Sequence, residues 1–304
     1  KKLPGLKRHL LKKCPQQLVM EIENYYYSSL CIDISGSIMA IGGGRWNEGI
    51  IQVVDINLSK VLYTIKAHDW EVTSLKIDGT FIVSGSQDRT VKIWNISTKE
   101  CLRTFRGHTD VITNVGVDGN IVVSGGMDSV INVWNRETGT LMHKFFTLIP
   151  QTLDTKCCLA IKGSMIAYPV HNNSIKVWDE KKESLLHTLN GHSWPVKSIE
   201  MYETLIVSGG QDKTIKVWNG LDGVILHTLK GHLGTITCIN VSSTTIISGN
   251  HLNGHIKVWD LKTGKYKYTL KGNPIDFTSC LAMDGTTIAS GNGNKINIWK
   301  PWLD

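Results

Sequence analysis

Three features of this 304-residue sequence predict an all-β chain folded as a seven-bladed β-propeller of four-stranded antiparallel blades. Tryptophan returns at Trp94, Trp134, Trp178, Trp218, Trp259 and Trp299, at intervals of 40, 44, 40, 41 and 40 residues. Each tryptophan ends a near-identical apolar run (VKIWN, INVWN, IKVWD, IKVWN, IKVWD, INIWK), and IIQVVD puts Val54-Asp55 in the same register one period earlier. Gly-His or Ala-His recurs at His68, His108, His192 and His232, and the next repeat tryptophan follows after 26, 26, 26 and 27 residues. The unbroken repeat assigns residues 15–304 to one domain, behind a basic arm or linker at residues 1–14.

The elements of a unit follow from alternation and turn residues. LKIDGTFIVSGSQDRTVKIWN is a compact run through the inner strands of a unit, and its tryptophan ends the third strand. Fourth strands come after the tryptophan, as in CLRTF, LLHTL and VILHTL. The seventh unit is short of one strand, because only Lys300-Pro301-Trp302-Leu303-Asp304 follow Trp299, and Pro301 has no N–H for a ladder. QLVMEIE, residues 17–23, alternates like a strand and precedes the first inner strand at SLCIDI. It is expected to complete the last blade and close the ring, leaving only short protected edges.

Composition excludes several function classes. The net charge of +7 is local: Lys1, Lys2, Lys7, Arg8, Lys12 and Lys13 account for six of the 33 basic residues, leaving 27 against 26 acidic. A nearly neutral ring does not predict a nucleic-acid surface; the basic arm is read as a solvated linker or as a short amphipathic helix toward a membrane or acidic partner. The first residue is Lys rather than Met, which suggests a fragment of a longer chain. No apolar run approaches the roughly 20 residues of a membrane helix. Seven cysteines show no paired spacing; four of them, with three other small residues, share one repeat position: Cys31, Ser74, Asn114, Cys158, Ser198, Cys238 and Cys280. These read as packing residues on an inner strand, and the chain as cytoplasmic or nuclear.

Three units also carry Ser-Gly-x-x-Asp, giving His68/Ser84/Asp88/Trp94, His108/Ser124/Asp128/Trp134 and His192/Ser208/Asp212/Trp218. With these residues the chain resembles the WD-repeat family. The resemblance implies a hydrogen-bonded tetrad within each blade: Asp accepts from His, His bonds the hydroxyl, and the hydroxyl meets the indole N–H. The other units depart from the pattern: Asn253 stands at the Asp position of unit six, Thr152 and Asn172 mark unit four, Asn273 replaces His in unit seven, and unit one has Ser28, Glu48 and Val54. A Ser-His-Asp set invites a hydrolase reading. Recurrence at blade spacing argues instead for structure, since a nucleophile needs one activated copy.

Function is sought in residues that the repeat does not explain. Trp46, Trp70, Trp194 and Trp302 are off register. Trp70 and Trp194 follow His68 and His192 by two residues; Trp46 lies in a turn of unit one. The resemblance puts both loop types on the narrow face of the ring. Arg45, Trp46, Asp69 and Trp70 form the candidate partner-binding cluster, flanked by Gln87, Arg89, Met127, Trp194, Gln211 and Lys213, with His171, Asn172, His251, Asn253 and His255 on the same rim. The histidines lack a completing ligand set, and Gly42-Gly43-Gly44 lacks the Gly-Lys-Ser/Thr of a phosphate loop, so no metal and no cofactor are expected.

The spacers are also similar to the rings that follow an F-box in ubiquitin-ligase substrate receptors. That resemblance implies arginines gripping a phosphorylated degron, for which Arg45 and Arg89 are placed, with Lys213 as a point charge. No F-box is visible in residues 1–24. The sequence thus predicts a monomeric, non-enzymatic platform for a protein or peptide, with a structural subunit of another assembly, or a hydrolase or lyase on the same scaffold, as alternatives.

Overall fold

The computed structural model describes residues 16–23, 31–45, 47–147, 158–272, 278–285, 287–292 and 295–301. Twenty-eight strands pair into seven antiparallel four-stranded sheets. The one helical element among the described residues is a 3-10 turn at His171–Asn173. Blade two shows the pattern: Val72–Asp78, Phe81–Ser86, Thr90–Asn95 and Cys101–Arg106 pair in chain order. The first strands of all seven blades touch their neighbours in a closed cycle around the axis.

Local chemistry sets each turn. Asp78 pairs with Phe81 across Gly79-Thr80, with Gly79 at φ 57°, a left-handed conformation that suits glycine in a two-residue hairpin. At the other end of the blade, Arg89 takes φ 67° without being glycine. Asp88 supports that turn, its Oδ1 accepting from Thr90 N at 2.9 Å and from the Thr90 hydroxyl at 2.6 Å. Lys213 repeats the conformation in blade five at φ 66°. A register shift interrupts pairing with the outer strand just before Trp94, Trp134, Trp178, Trp218 and Trp259, the added twist of a bulge recurring once per blade.

The core lies between blades. Cys31, Ala40, Ile51 and Val53 of blade one pack on Val72, Leu75, Ile82 and Trp94 of blade two. The next seam joins Val83, Val91 and Phe105 to Ile112, Val115 and Trp134. Outer strands add latches to the next blade: His187 Nε2 bonds Leu221 O at 2.7 Å, and His227 Nε2 bonds Lys262 O at 2.9 Å.

Closure uses both ends of the described chain. Gln16–Glu23 runs antiparallel to Lys295–Pro301, with Leu18 opposite Trp299 and Glu23 opposite Lys295. The N-terminal strand is therefore the outer strand of blade seven, as the missing strand of the last unit predicted. Ala282, Ala289, Ile296 and Ile298 of that blade then pack on Ile32, Ile34, Met39 and Ile41 of blade one and seal the last seam.

The irregular blades differ from expectation in instructive ways. In blade six, Asn253 does not take the carboxylate's place: its Oδ1 accepts from His255 N at 3.2 Å. Asn250, three residues earlier, reaches His232 Nδ1 at 2.8 Å, while Ser248 bonds both His232 Nε2 and the Trp259 indole. In blade four, Tyr168 stands opposite Lys176 as Ser84 stands opposite Lys92. It stacks on Phe145 at 5.5 Å, and Phe145 meets Trp178 at 5.0 Å, so an aromatic cluster fills the tetrad's place. The Trp178 indole N–H has no hydrogen-bond partner among the described residues. Asn172, at φ 71°, belongs to the 3-10 turn. Val54 is buried in the closing seam, and Glu48 is exposed. Ser28, Thr152 and Asn273 lie outside the described residues.

Candidate functional site

The tetrads contain the side chains of a Ser-His-Asp triad. His68 Nδ1 is 2.8 Å from Asp88 Oδ2, His68 Nε2 is 2.8 Å from Ser84 Oγ, and the Trp94 indole donates to the same Oγ at 3.0 Å. Blade three repeats this through His108, Asp128, Ser124 and Trp134, with 2.9 Å from His108 Nε2 to Ser124 Oγ. Blade five repeats it through His192, Asp212, Ser208 and Trp218, at 2.8 Å for each of the three contacts. Burial keeps His68 and His192 below the ordinary histidine range against the pull of their aspartates, so both rings are neutral at pH 7. Nδ1–H then donates to the carboxylate, and Nε2 accepts from the serine hydroxyl. Ser84, Ser124 and Ser208 are 0% exposed, so no substrate reaches these oxygens. The arrangement holds each blade together and offers no accessible nucleophile.

At the axis, a cavity of about 160 Å³ is lined by residues of all seven blades, among them Cys31, Cys158, Cys238 and Cys280. Lys76 of blade two and Glu200 of blade five meet there, Nζ to Oε1 at 2.7 Å. The two blades stand three apart in the ring of seven, so the ion pair bridges the channel. Asp33 of blade one accepts from Ile77 N at 2.7 Å, and burial raises its carboxyl pKa despite the nearby Lys76. Burial works against the Lys76 charge, but Glu200 and Asp33 outweigh it and hold its pKa above the ordinary lysine value. Asp33 and Glu200 belong neither to a tetrad nor to a turn, and the repeat marks them: both lie two residues after the position that holds Cys31 and Ser198.

One face of the ring carries the loops entering the first strands together with the turns between second and third strands. Gln87 N donates to Glu71 O at 3.0 Å, Met127 N to Val111 O at 2.8 Å, and Gln211 N to Pro195 O at 2.9 Å. These bonds tie the two loop types together; the upper face they form corresponds to the narrow face of the resemblance. Here Asp69, Trp70, Gln87, Asp88 and Arg89 of blade two, with Asp110 and Val111 of blade three, line a pocket of about 470 Å³. Trp70 is 41% exposed. Glu71 positions Gln87 through a 2.9 Å bond from its Nε2 to the Glu71 carboxylate.

Four of the predicted residues, Asp69, Trp70, Gln87 and Arg89, are thus brought into one pocket. Arg45 ends a strand of blade one opposite Glu48, and Gly49 of the following strand pairs with His68, which puts this turn beside the Trp70 loop. Trp46 and Trp302 lie outside the described residues. Met127 belongs to the corresponding turn of blade three. Trp194, Gln211 and Lys213 form a similar group on blade five, apart from the pocket, with Trp194 60% exposed. His251 and His255 flank the equivalent turn of blade six. Asp110 and Val111 were missed, although Asp110 follows His108 by two residues just as Trp70 follows His68.

Similarity to known proteins agrees with this geometry. Residues 59–95, 99–135, 183–219 and 223–260 match the family described as WD domain, G-beta repeat. With seven four-stranded blades and recurring Asp-His-Ser-Trp networks, the chain belongs to the WD-repeat family of β-propellers, whose members generally serve as non-enzymatic interaction scaffolds. It is 26% identical over 167 residues to Autophagy-related protein 16 of Arabidopsis thaliana, covering 53% of this chain and 32% of that one. It is 54% identical over 37 residues to Mitochondrial division protein 1 of Saccharomyces cerevisiae (strain YJM789), covering 12% and 5%. U3 small nucleolar RNA-associated protein 12 of Saccharomyces cerevisiae (strain ATCC 204508 / S288c) is 39% identical over 72 residues, 23% of this chain and 7% of that one. These matches span at most about a third of the curated relatives' length. Among solved structures, the computationally designed Ika8 protein superposes with a TM-score of 0.70 at 28% identity, over 91% of this chain and 98% of that one. No helix among the described residues is long and apolar enough to cross a membrane.

Proposed function

We propose that this chain is a non-enzymatic interaction platform that holds a segment of a partner protein on its narrow, upper face. The observation that carries the reading is the half-exposed Trp70, standing in a pocket with Asp69, Gln87 and Arg89, none of which the tetrad needs. Tryptophan and arginine supply large contact area at modest entropic cost, which is why they dominate binding hot spots. The bridge between Lys76 and Glu200 disfavours a ligand threaded through the axis and directs binding to the rim.

A hydrolase reading is disfavoured because the Ser-His-Asp sets are sealed inside blades. Service as the substrate-recognition part of a ubiquitin ligase is a narrower form of the same proposal, as is a place in another multiprotein assembly. Cys31, Cys158 and Cys238 are buried where Ser74 and Ser198 stand in other blades, which favours a reducing compartment, cytoplasm or nucleus. The ring is proposed to be monomeric, with the basic residues 1–14 as an arm outside the propeller at 15–304. To test the platform reading, partners captured by the wild-type chain are compared with those captured by Trp70→Ala and Trp194→Ala variants that melt normally. Selective loss from the variants supports the narrow face; an unchanged set of partners refutes it.

A further inference from the structure

The pocket beside Trp70 carries negative charge that its own architecture does not require. Among the described residues that line it, Asp69, Asp88 and Asp110 are carboxylates and Arg89 is the one cation, a formal charge of −2. Asp88 is engaged by His68 and Thr90. Asp110 accepts a 2.7 Å bond from the adjacent Val111 N, while among the described residues no hydrogen bond or ion pair engages the Asp69 carboxylate. The repeat supplies an internal comparison. One residue after the histidine, blade five has Ser193 where blade two has Asp69; two residues after it, blade six has Gly234 where blade three has Asp110. The blade-five and blade-six loops still bond to their turns, through Gln211 N to Pro195 O and His251 N to Thr235 O. Neither carboxylate is needed to build the loop that carries it.

A tryptophan that is 41% exposed and carboxylates that no described cation neutralises, around one cavity, are complementary to a cation. The ring quadrupole attracts a positive head group, the carboxylates pair with it, and an alkyl stem covers the indole. We infer that this pocket takes an arginine or lysine side chain from a basic segment of the partner protein, an inference that rests on the narrow-face reading above.

The test uses short fluorescein-labelled peptides of equal length, one rich in arginine and lysine, one neutral, and one carrying glutamate and phosphoserine, titrated with the whole chain by fluorescence anisotropy. The basic peptide binds best and loses affinity at roughly 0.3 M salt, as exposed ion pairs are screened. Asp69→Ser with Asp110→Gly, residues the fold carries at equivalent positions, weakens it about fivefold to tenfold. Trp70→Ala weakens it similarly, and Arg89→Ala strengthens it. Preference for the phosphorylated peptide, lost in Arg89→Ala, overturns the inference while leaving the narrow-face reading intact. No binding of the basic peptide also overturns it. Basic-peptide binding indifferent to both Trp70→Ala and the aspartate changes overturns both readings.

Discussion

Lys76 and Glu200 join opposite sides of the ring: their side chains meet at 2.7 Å although 124 residues separate them. Within a blade, neighbours are held by ladders and seams, but this ion pair couples blade two directly to blade five. Both blades carry a Trp-Gln-cation group on the upper face, Trp70, Gln87 and Arg89 in one and Trp194, Gln211 and Lys213 in the other. The brace fixes the two groups relative to each other.

Removing one partner of the brace leaves a partly buried charge unpaired. Glu200→Gln is expected to destabilise the chain by about 1.5–3 kcal/mol, the range for hydrogen bonds to charged groups. Lys76→Met combined with Glu200→Leu recovers most of that loss, because apolar replacement of an enclosed pair is often neutral. Urea unfolding of the single and double variants checks both statements.

Blade six makes the fold acid-sensitive. Asn250 Oδ1 accepts from Leu252 N and Asn253 N, which turns its amide nitrogen toward His232 Nδ1. His232 therefore lacks a carboxylate partner, and burial, followed by Lys257, lowers its pKa to about 4. The unfolded chain binds a proton near the ordinary value of about 6.5 that the folded ring refuses, so stability is lost as pH falls between those values, by about 3 kcal/mol for this group. Asn250→Asp keeps the acceptor for the turn and adds the missing carboxylate. It is expected to raise the His232 pKa and narrow the gap between melting temperatures at pH 7 and pH 5; an unchanged gap contradicts the assignment.

The tetrad gives a paired comparison. Trp94 donates its indole N–H to Ser84, whereas the Trp178 N–H has no partner among the described residues. Trp94→Phe is expected to cost about 1–2 kcal/mol more than Trp178→Phe, the difference reading the hydrogen bond and the unsatisfied hydroxyl it leaves. Equal costs in chemical denaturation contradict a stabilising role for the indole bond.

Ring closure gives the largest effect. Deleting residues 15–24 removes the strand paired with Lys295–Pro301 and exposes a long sheet edge. The expected result is loss of chain from the soluble fraction and of the cooperative melt. Unchanged thermal melting contradicts closure by this strand.

The ring was legible in the sequence because each blade repeats one solution to one packing problem: Trp94, Trp134, Trp218 and Trp259 mark the seams by recurring. The closing strand was legible from a deficit, the missing fourth strand after Trp299. What was not legible depended on contacts between blades that no local pattern encodes. Lys76 and Glu200 become partners only once the ring is closed. Asn250 replaces the blade-six carboxylate from a different turn position, so counting back six residues from Trp259, as Asp88 precedes Trp94, misplaces it to Asn253. Asp110 was overlooked because its pocket partner Trp70 sits in the preceding blade, while its own blade has no off-register tryptophan.

Partner binding on the upper face is read out by photocrosslinking. A benzoylphenylalanine replaces Gln87 at the pocket, or Leu226 on the exposed outer strand of blade five as a control. Irradiation in cells followed by mass spectrometry is expected to yield a discrete protein adduct from position 87 that disappears when Trp70→Ala is added, and none of that protein from position 226. Adducts to the same protein from 226 alone, or an adduct at 87 indifferent to Trp70→Ala, would contradict it.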